Sequence, residues 1–399
     1  MDTYLLDWAN LLLRWLHVIT AIAWVGSSFY FVWLDNHLIR PKSPDLLEKG
    51  VDGALWAVHG GGFYNPQKYM LAPKKIHTEL HWFYWESYST WLSGFALFVV
   101  LYLWNAGSFL IDKSVHAWTP AGAVAAALGF LVAFWLVYDL ICRTLGKGPD
   151  GDRIVGAAVF LAIVLSSWAA CQLFAGRAAF LLVGAMVATA MSANVFFWII
   201  PGQRKVVAAM TSGQPVDPVH GQRGKQRSVH NTYLTLPVLV AMLSNHYGWL
   251  YQGRWNWLVL VLIMTAGALI RHFFVARHKA HVKGLPAPWG YAAGGVALIL
   301  ALVVWLAPPP AAAPAPGAPP VSMAAVKAVV DQRCVMCHNA QLQQKNIALH
   351  TPELISRHAQ AVYQQTVVLK LMPLNNATQI TDDERALIKR WFEGGARAD

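Results

Sequence analysis

A C-x-x-C-H box at residues 334–338 carries the most specific chemistry in this chain. Two cysteines at this spacing, followed directly by a histidine, are typical of covalent haem attachment, in which the thiols add to the haem vinyl groups and the histidine binds the iron. A structural or redox-active cysteine pair is the alternative. Met372 lies far enough downstream to be the second axial ligand. The sequence therefore predicts a c-type haem bound by Cys334, Cys337, His338 and Met372, with His338 and Met372 as the iron ligands.

The residues around this box predict one small domain over 322–399. A helix over 323–333 leads into the box, and a closing helix begins with the capping box formed by Thr381 and Glu384. So short a segment has a thin core, to which a covalent haem would add apolar volume. This layout is that of a class I cytochrome c. A Pro/Ala-rich run over 308–321 predicts an extended linker in front of it.

The rest of the chain has the composition of a membrane protein, with 56% hydrophobic residues, 13% charged residues and 19 tryptophans. A membrane span needs roughly 20 apolar residues. Eight segments qualify: approximately 8–34, 81–104, 118–140, 155–174, 178–200, 229–247, 255–276 and 288–307. We therefore predict an all-α fold, with an eight-helix transmembrane bundle over 1–307 followed by the cytochrome c domain.

The net charge of +11 is distributed in a way that indicates a lipid bilayer as partner and excludes nucleic acid. Loops one, three, five and seven hold 6, 3, 5 and 3 Lys/Arg, whereas loops two, four and six hold one each. Cytoplasmic loops carry the excess of Lys and Arg. The sequence predicts a multi-pass protein of a bacterial inner membrane, with both termini in the periplasm, where haem is attached to c-type cytochromes.

Placing an ionisable residue inside a membrane costs free energy, so ionisable residues within the predicted spans are candidates for a functional role. His17 begins a His-x6-Trp-x-Gly pattern that is similar to the first-helix motif of several small haem-binding membrane families, including the membrane protoporphyrinogen oxidase type. That similarity makes His17 a candidate ligand of haem b; a histidine bonded to a neighbouring helix is the alternative. His77 and His81 lack the spacing of a zinc-protease box. Glu86 could move protons, or could pair with Arg271 or a histidine.

Most of these polar residues fall on the predicted cytoplasmic side of the bundle, including His59, Asn194 and His230. Only Arg14, His17 and His246 mark the outer half. A reaction on the cytoplasmic side would have to send electrons across roughly 30 Å of hydrocarbon to a periplasmic haem. Such a site would need an intermediate carrier such as haem b, whereas a site on the outer side would not. The larger number of polar residues favours the cytoplasmic arrangement, and the His17 motif also indicates haem b.

With these residues in place, the whole chain resembles the bacterial membrane-bound urate oxidase (urate hydroxylase) family, in which an eight-helix domain is fused to a cytochrome c. The stretches that carry the resemblance are 15–26, 56–64, 81–86, 230–237 and 244–246, together with the C-x-x-C-H box and residues 372–376. The resemblance implies oxidation of urate to 5-hydroxyisourate. Electrons would pass to haem c and on to a terminal cytochrome oxidase or a soluble cytochrome.

Within this resemblance, the candidate catalytic residues are His59, His81, Glu86, Asn194, His230 and Arg271. The candidate haem b ligands are His17 and His246. Because urate is an anion at neutral pH, its site needs a cation such as Arg271 or Arg14, and its oxidation needs a general base, for which a histidine or Glu86 is suited. The alternatives are a quinol- or metal-linked respiratory electron-transfer subunit and, less compatibly, a transporter or sensor with an attached cytochrome.

Overall fold

The computed structural model describes residues 2–69, 73, 76–146, 150–251, 253–307, 321–344 and 347–398. The fold is mostly helical, as predicted, with a few short strands in the long first loop. Strand β1 (Gly53–Ala54) pairs with β4 (Gln67–Lys68), and β2 (Ala57–His59) pairs with β3 (Gly62–Tyr64), both antiparallel. The β2–β3 turn is possible because its two central glycines adopt positive φ.

Eleven described helices precede residue 307, and the long first loop separates the second from the third. They are α1 (Asp2–His37), α2 (Pro44–Glu48), α3 (Trp85–Phe98), α4 (Ala106–Phe109), α5 (Pro120–Thr144), α6 (Gly151–Leu173), α7 (Gly176–Ala193), α8 (Ile200–Thr211), α9 (Pro218–Leu243), α10 (Asn256–Val282) and α11 (Trp289–Trp305). A π-helical turn extends α3 over Val99–Leu103, and another joins α7 to α8 over Asn194–Ile199. Short 3-10 turns follow α9 at Ser244–His246 and Gly248–Leu250.

Local sequence explains where two of the longest helices begin. The Thr119 side chain accepts a hydrogen bond from the Gly122 amide and is followed by a proline at the first position of α5. Asp217 caps α9 in the same way through the Val219 amide, again before a proline. A capping oxygen satisfies an amide that the helix leaves free, and proline there loses no hydrogen bond.

Each of the eight predicted segments contains a helix. Among the residues that the structure describes, five helical stretches are long and apolar enough to cross a membrane by length and composition. These are Tyr4–His37, Pro120–Thr144, Gly151–Leu173, Gly176–Thr211 and Asn256–Arg277. Helix α11 is apolar but shorter, and α3 and α9 are not among the five. The bundle is thus compatible with a membrane protein, while the count of eight crossings stays a prediction.

The C-terminal part, residues 321–398, has a hydrophobic core of its own, separate from that of the bundle. It consists of α12 (Met323–Arg333), α13 (Pro352–Arg357), α14 (Ala359–Tyr363), a π-helical turn (Gln364–Val368), a 3-10 turn (Leu374–Asn376) and α15 (Asp382–Glu393). We call it the C-terminal domain. Both hydrogen bonds of the predicted capping box are present at the start of α15. The predicted linker, apart from Val321, lies outside the described residues.

The C-terminal domain packs against one end of the bundle, which we call the proximal end. There Asn375 donates its side-chain amide to the Ser108 carbonyl at 2.6 Å. Gly248 lies so close to the Leu369 and Lys370 carbonyls that a Cβ on it would overlap them. The proximal end also contains the start of α7 and the turns that follow α9.

Candidate active site and haem site

A cavity of roughly 1690 Å³ extends from the C-terminal domain into the proximal half of the bundle. Pockets for one small molecule are typically about 300–1,000 Å³, so this cavity has room for more than one ligand. All six predicted haem-binding residues line it: His17, His246, Cys334, Cys337, His338 and Met372. The fold therefore brings residues that are more than 350 positions apart to one space.

The residues of the C-x-x-C-H box fit a c-type haem. The Nδ1 of His338 lies 3.0 Å from the Ile347 carbonyl, so Nδ1–H donates to it and Nε2 remains free for iron. Burial raises the pKa of the Cys334 thiol to about 11. Met372 lines the same cavity, as an axial ligand must.

His17 is bonded to a neighbouring helix and also faces the cavity. Its Nδ1 lies 3.1 Å from the Thr90 carbonyl and 3.2 Å from the Ser93 hydroxyl, both on α3. Gly94 makes room for the ring, since a Cβ there would lie 2.7 Å from His17 Cε1. An Nδ1–H bond to a carbonyl leaves Nε2 as a possible metal ligand. The two alternatives for His17 are therefore compatible with each other.

Two predicted catalytic residues, Asn194 and His230, belong to one polar network. The hydroxyl of Tyr138 lies 2.8 Å from His230 Nδ1 and accepts a hydrogen bond of 2.8 Å from Asn194 Nδ2. Asn194 Nδ2 also lies 2.9 Å from Asn231 Oδ1. Asn194 is fully buried, and among the described residues its Oδ1 has no partner. Because Asn231 lines the cavity, this network reaches the cavity wall.

A buried ion pair lies beside this network. Arg227 Nη2 is 2.8 Å from Asp139 Oδ1, which also accepts a hydrogen bond from the Trp198 indole. Both charged residues are under 10% exposed. Removing one partner of such a pair strands a buried charge, so we assign this pair to holding α5 and α9 together.

The other four predicted catalytic residues lie elsewhere. Arg271 is 1% exposed, donates Nε–H to the Thr232 carbonyl at 3.3 Å and lies 3.9 Å from the Phe29 ring centroid. Glu86 is half-buried in the first turn of α3, and among the described ion pairs none joins it to Arg271. His81 and His59 are exposed. The described residues contain no cluster of three or more His, Cys, Asp or Glu that could hold a metal ion.

A group at the proximal end was not predicted as a site. The Tyr102 hydroxyl and the Arg177 Nε–H both donate to Asn245 Oδ1, at 2.7 and 3.2 Å. All three side chains line the cavity. The available sequence signals were weak: Arg177 is the one cation of the predicted fourth loop, and Asn245 precedes His246 in a stretch that carried the resemblance.

A family model described as urate oxidase N-terminal matches residues 3–307. The match covers the bundle and stops before the Pro/Ala-rich run, so the haem box lies beyond it. No curated protein and no solved structure matches the chain.

Proposed function

Because the chain belongs to the urate oxidase N-terminal family, we propose that it is a membrane-bound oxidoreductase that converts urate to 5-hydroxyisourate. We further propose that it uses haem c as the electron acceptor and a terminal cytochrome oxidase or a soluble cytochrome as the next carrier. The inner membrane of a bacterium, with both termini in the periplasm, is the location that fits the charge pattern of the loops.

The observation that carries this proposal is the cavity shared by the two domains. It is lined by the haem-attachment residues on one side and by polar side chains of the family-matched bundle on the other. A substrate bound in it would lie next to the cysteines that hold the acceptor. An electron-transfer subunit would not need a cavity larger than its haem.

The reaction balances without oxygen as a direct oxidant. The urate anion takes up one water and loses two electrons and one proton, giving neutral 5-hydroxyisourate. Haem c, bound by Cys334, Cys337, His338 and Met372, would accept these electrons one at a time.

The residues of the chain supply the binding and proton-transfer steps. A cation must hold the urate anion, and a general base must take the proton released as water adds. His246, which was predicted as a haem b ligand, lines the cavity at the proximal end and is exposed. We propose that it is instead this base. His17, whose Nε2 is left free, is our candidate to bind haem b.

The experiment is anaerobic addition of urate to the purified, oxidised full-length protein, followed by the visible spectrum. We expect the reduced α-band of haem c to appear. A b-type band that rises with it would support haem b on His17. If dithionite reduces the haem and urate does not, the protein is an electron-transfer subunit with another donor, and quinol is the next donor to test.

A further inference from the structure

Three side chains from separate elements meet at the proximal end of the cavity. Tyr102 comes from the π-helical turn after α3, Arg177 is the second residue of α7, and Asn245 lies in the 3-10 turn after α9. Tyr102 is 3% exposed. Its hydroxyl and Arg177 Nε both donate to Asn245 Oδ1, so the two fix the orientation of Asn245 and of the guanidinium together.

The described partners of the Arg177 guanidinium are neutral. Its Nε–H donates to Asn245 Oδ1, and a further side-chain hydrogen bond joins it to the Tyr102 hydroxyl. Among the residues that the structure describes, no carboxylate forms an ion pair with Arg177. The guanidinium is a rigid planar fork that pairs bidentately with anions. Arg177 is half-buried and forms no described ion pair, so its positive charge is available to pair with an anionic ligand.

The surroundings of Arg177 suit a planar anion. The Arg177 guanidinium lies over one face of the Phe109 ring, with Cζ 5.6 Å from the ring centroid. Phe109 also lines the cavity. Aromatic rings favour offset stacking on other flat rings. Cys337 and Met372 line this same cavity, so a ligand on Arg177 shares the space of the haem acceptor.

The other two candidate cations are less suitable. Arg271 does not line the cavity, and its guanidinium is packed against Phe29. Arg14 lines the cavity, but it is exposed and its described hydrogen bond runs to Asn10, one turn away on its own helix. Arg271 is held by Thr232 and Phe29 away from the cavity. Arg14 has no described side-chain partner on another element, whereas Arg177 both lines the cavity and is held by Asn245 from another element.

We propose that Arg177, oriented by Asn245 and Tyr102, binds the urate anion at the proximal end of the cavity, with Phe109 as the stacking surface. This inference rests on the proposed function, and it places the substrate beside haem c and away from the Asn194–His230 network. A haem propionate has the same anionic chemistry and is the other possible occupant.

The test is steady-state and spectroscopic comparison of Arg177→Gln and Arg177→Lys in the full-length protein. The matched control is Arg254→Gln, which removes a cation from the neighbouring predicted outer loop, 5.4 Å from the Trp255 ring and outside the cavity. We expect Arg177→Gln to raise KM for urate at least about tenfold, the loss of one charged hydrogen-bonding contact. Arg177→Lys keeps the positive charge but cannot form the two parallel hydrogen bonds of a guanidinium, so its KM should lie between those of the wild type and Arg177→Gln. Arg254→Gln should behave as wild type.

Three outcomes are separable once dithionite reduction has shown that each variant holds its haem. An unchanged KM in Arg177→Gln overturns the inference, while reduction by urate still supports the proposed function. A shifted haem potential with unchanged KM assigns Arg177 to a propionate and also overturns it. If urate fails to reduce even the wild-type protein, the proposed function itself fails.

Discussion

At the scale of single residues, Glu384 links a local sequence signal to the tertiary structure. Its carboxylate accepts hydrogen bonds from the Thr381 amide at 2.7 Å and from Arg333 Nη2 at 3.0 Å. Partial burial acts to raise the pKa of Glu384, but these bonds and the Arg333 charge outweigh it and hold that pKa below its usual value. The capping box was visible in the sequence, whereas the contact with Arg333, 51 positions away, was not.

We predict that Glu384→Gln destabilises the C-terminal domain by about 1 kcal/mol at pH 7, because glutamine can keep the capping box but loses the ion pair with Arg333. A lowered folded-state pKa means that the stabilisation is complete above the unfolded pKa of about 4.3 and is lost as the pH falls through the folded-state value. The variant should therefore lose part of the acid sensitivity of the wild type. Denaturant unfolding from pH 3 to 7, followed by the haem absorbance, measures this. Parallel pH profiles for the two proteins would contradict it.

At the scale of elements, the contact between α1 and α3 positions His17. Gly94 on α3 has no side chain, so the imidazole can lie directly against the helix while Nδ1 reaches the Thr90 carbonyl. The histidine and its motif were recognised in the sequence. The importance of Gly94 was not, because a glycine within an apolar helix has no local feature that reveals a close neighbour.

We predict that Gly94→Ala lowers the b-type haem content, since the new Cβ would lie 2.7 Å from His17 Cε1 and displace the ring. The control is Gly156→Ala on α6, where a Cβ meets nothing within 4 Å. Pyridine haemochrome spectra of both variants measure haems b and c separately. Equal b-type content in the two would show that His17 is not positioned by Gly94 to hold haem, and a wild type without b-type haem would remove that role for His17.

At the scale of the whole molecule, the two domains fit closely at Gly248, beside the cavity-lining residues Asn245 and His246. The segment 369–375 of the C-terminal domain, which carries Met372, contacts the proximal end through Gly248 and Ser108. Leu371 packs on the core of the bundle. Docking of the domains therefore places Met372, the predicted axial ligand, against the bundle.

We predict that Gly248→Val slows reduction of the haem by urate by at least about tenfold, since a misplacement of about 1 Å can cost far more than that in rate. Its dithionite-reduced spectrum should stay that of the wild type, because no residue inside the C-terminal domain changes. Gly253→Val, where a Cβ would meet nothing within 4 Å, is the control. Stopped-flow reduction measures the rates. A wild-type rate in Gly248→Val would mean that docking at this contact is not required.

The sequence by itself determined the features that depend on neighbours along the chain. The haem box, the capping box of α15 and the apolar stretches that became helices are all local patterns, so spacing and composition are enough to predict them. The existence of His17, His246 and Met372 as candidates also followed from local motifs. Membership of the urate oxidase N-terminal family was likewise indicated by short stretches of residues.

Only the tertiary structure decided which of these candidates share a space. It placed His17, His246 and the haem box in one cavity, joined Asn194 to His230 through Tyr138, and left His59, His81, Glu86 and Arg271 apart. It also added Arg177, whose role depends on Tyr102 and Asn245 from elements 75 and 68 positions away. Such convergence results from the packing of helices, which sets long-range distances that no local pattern along the chain contains.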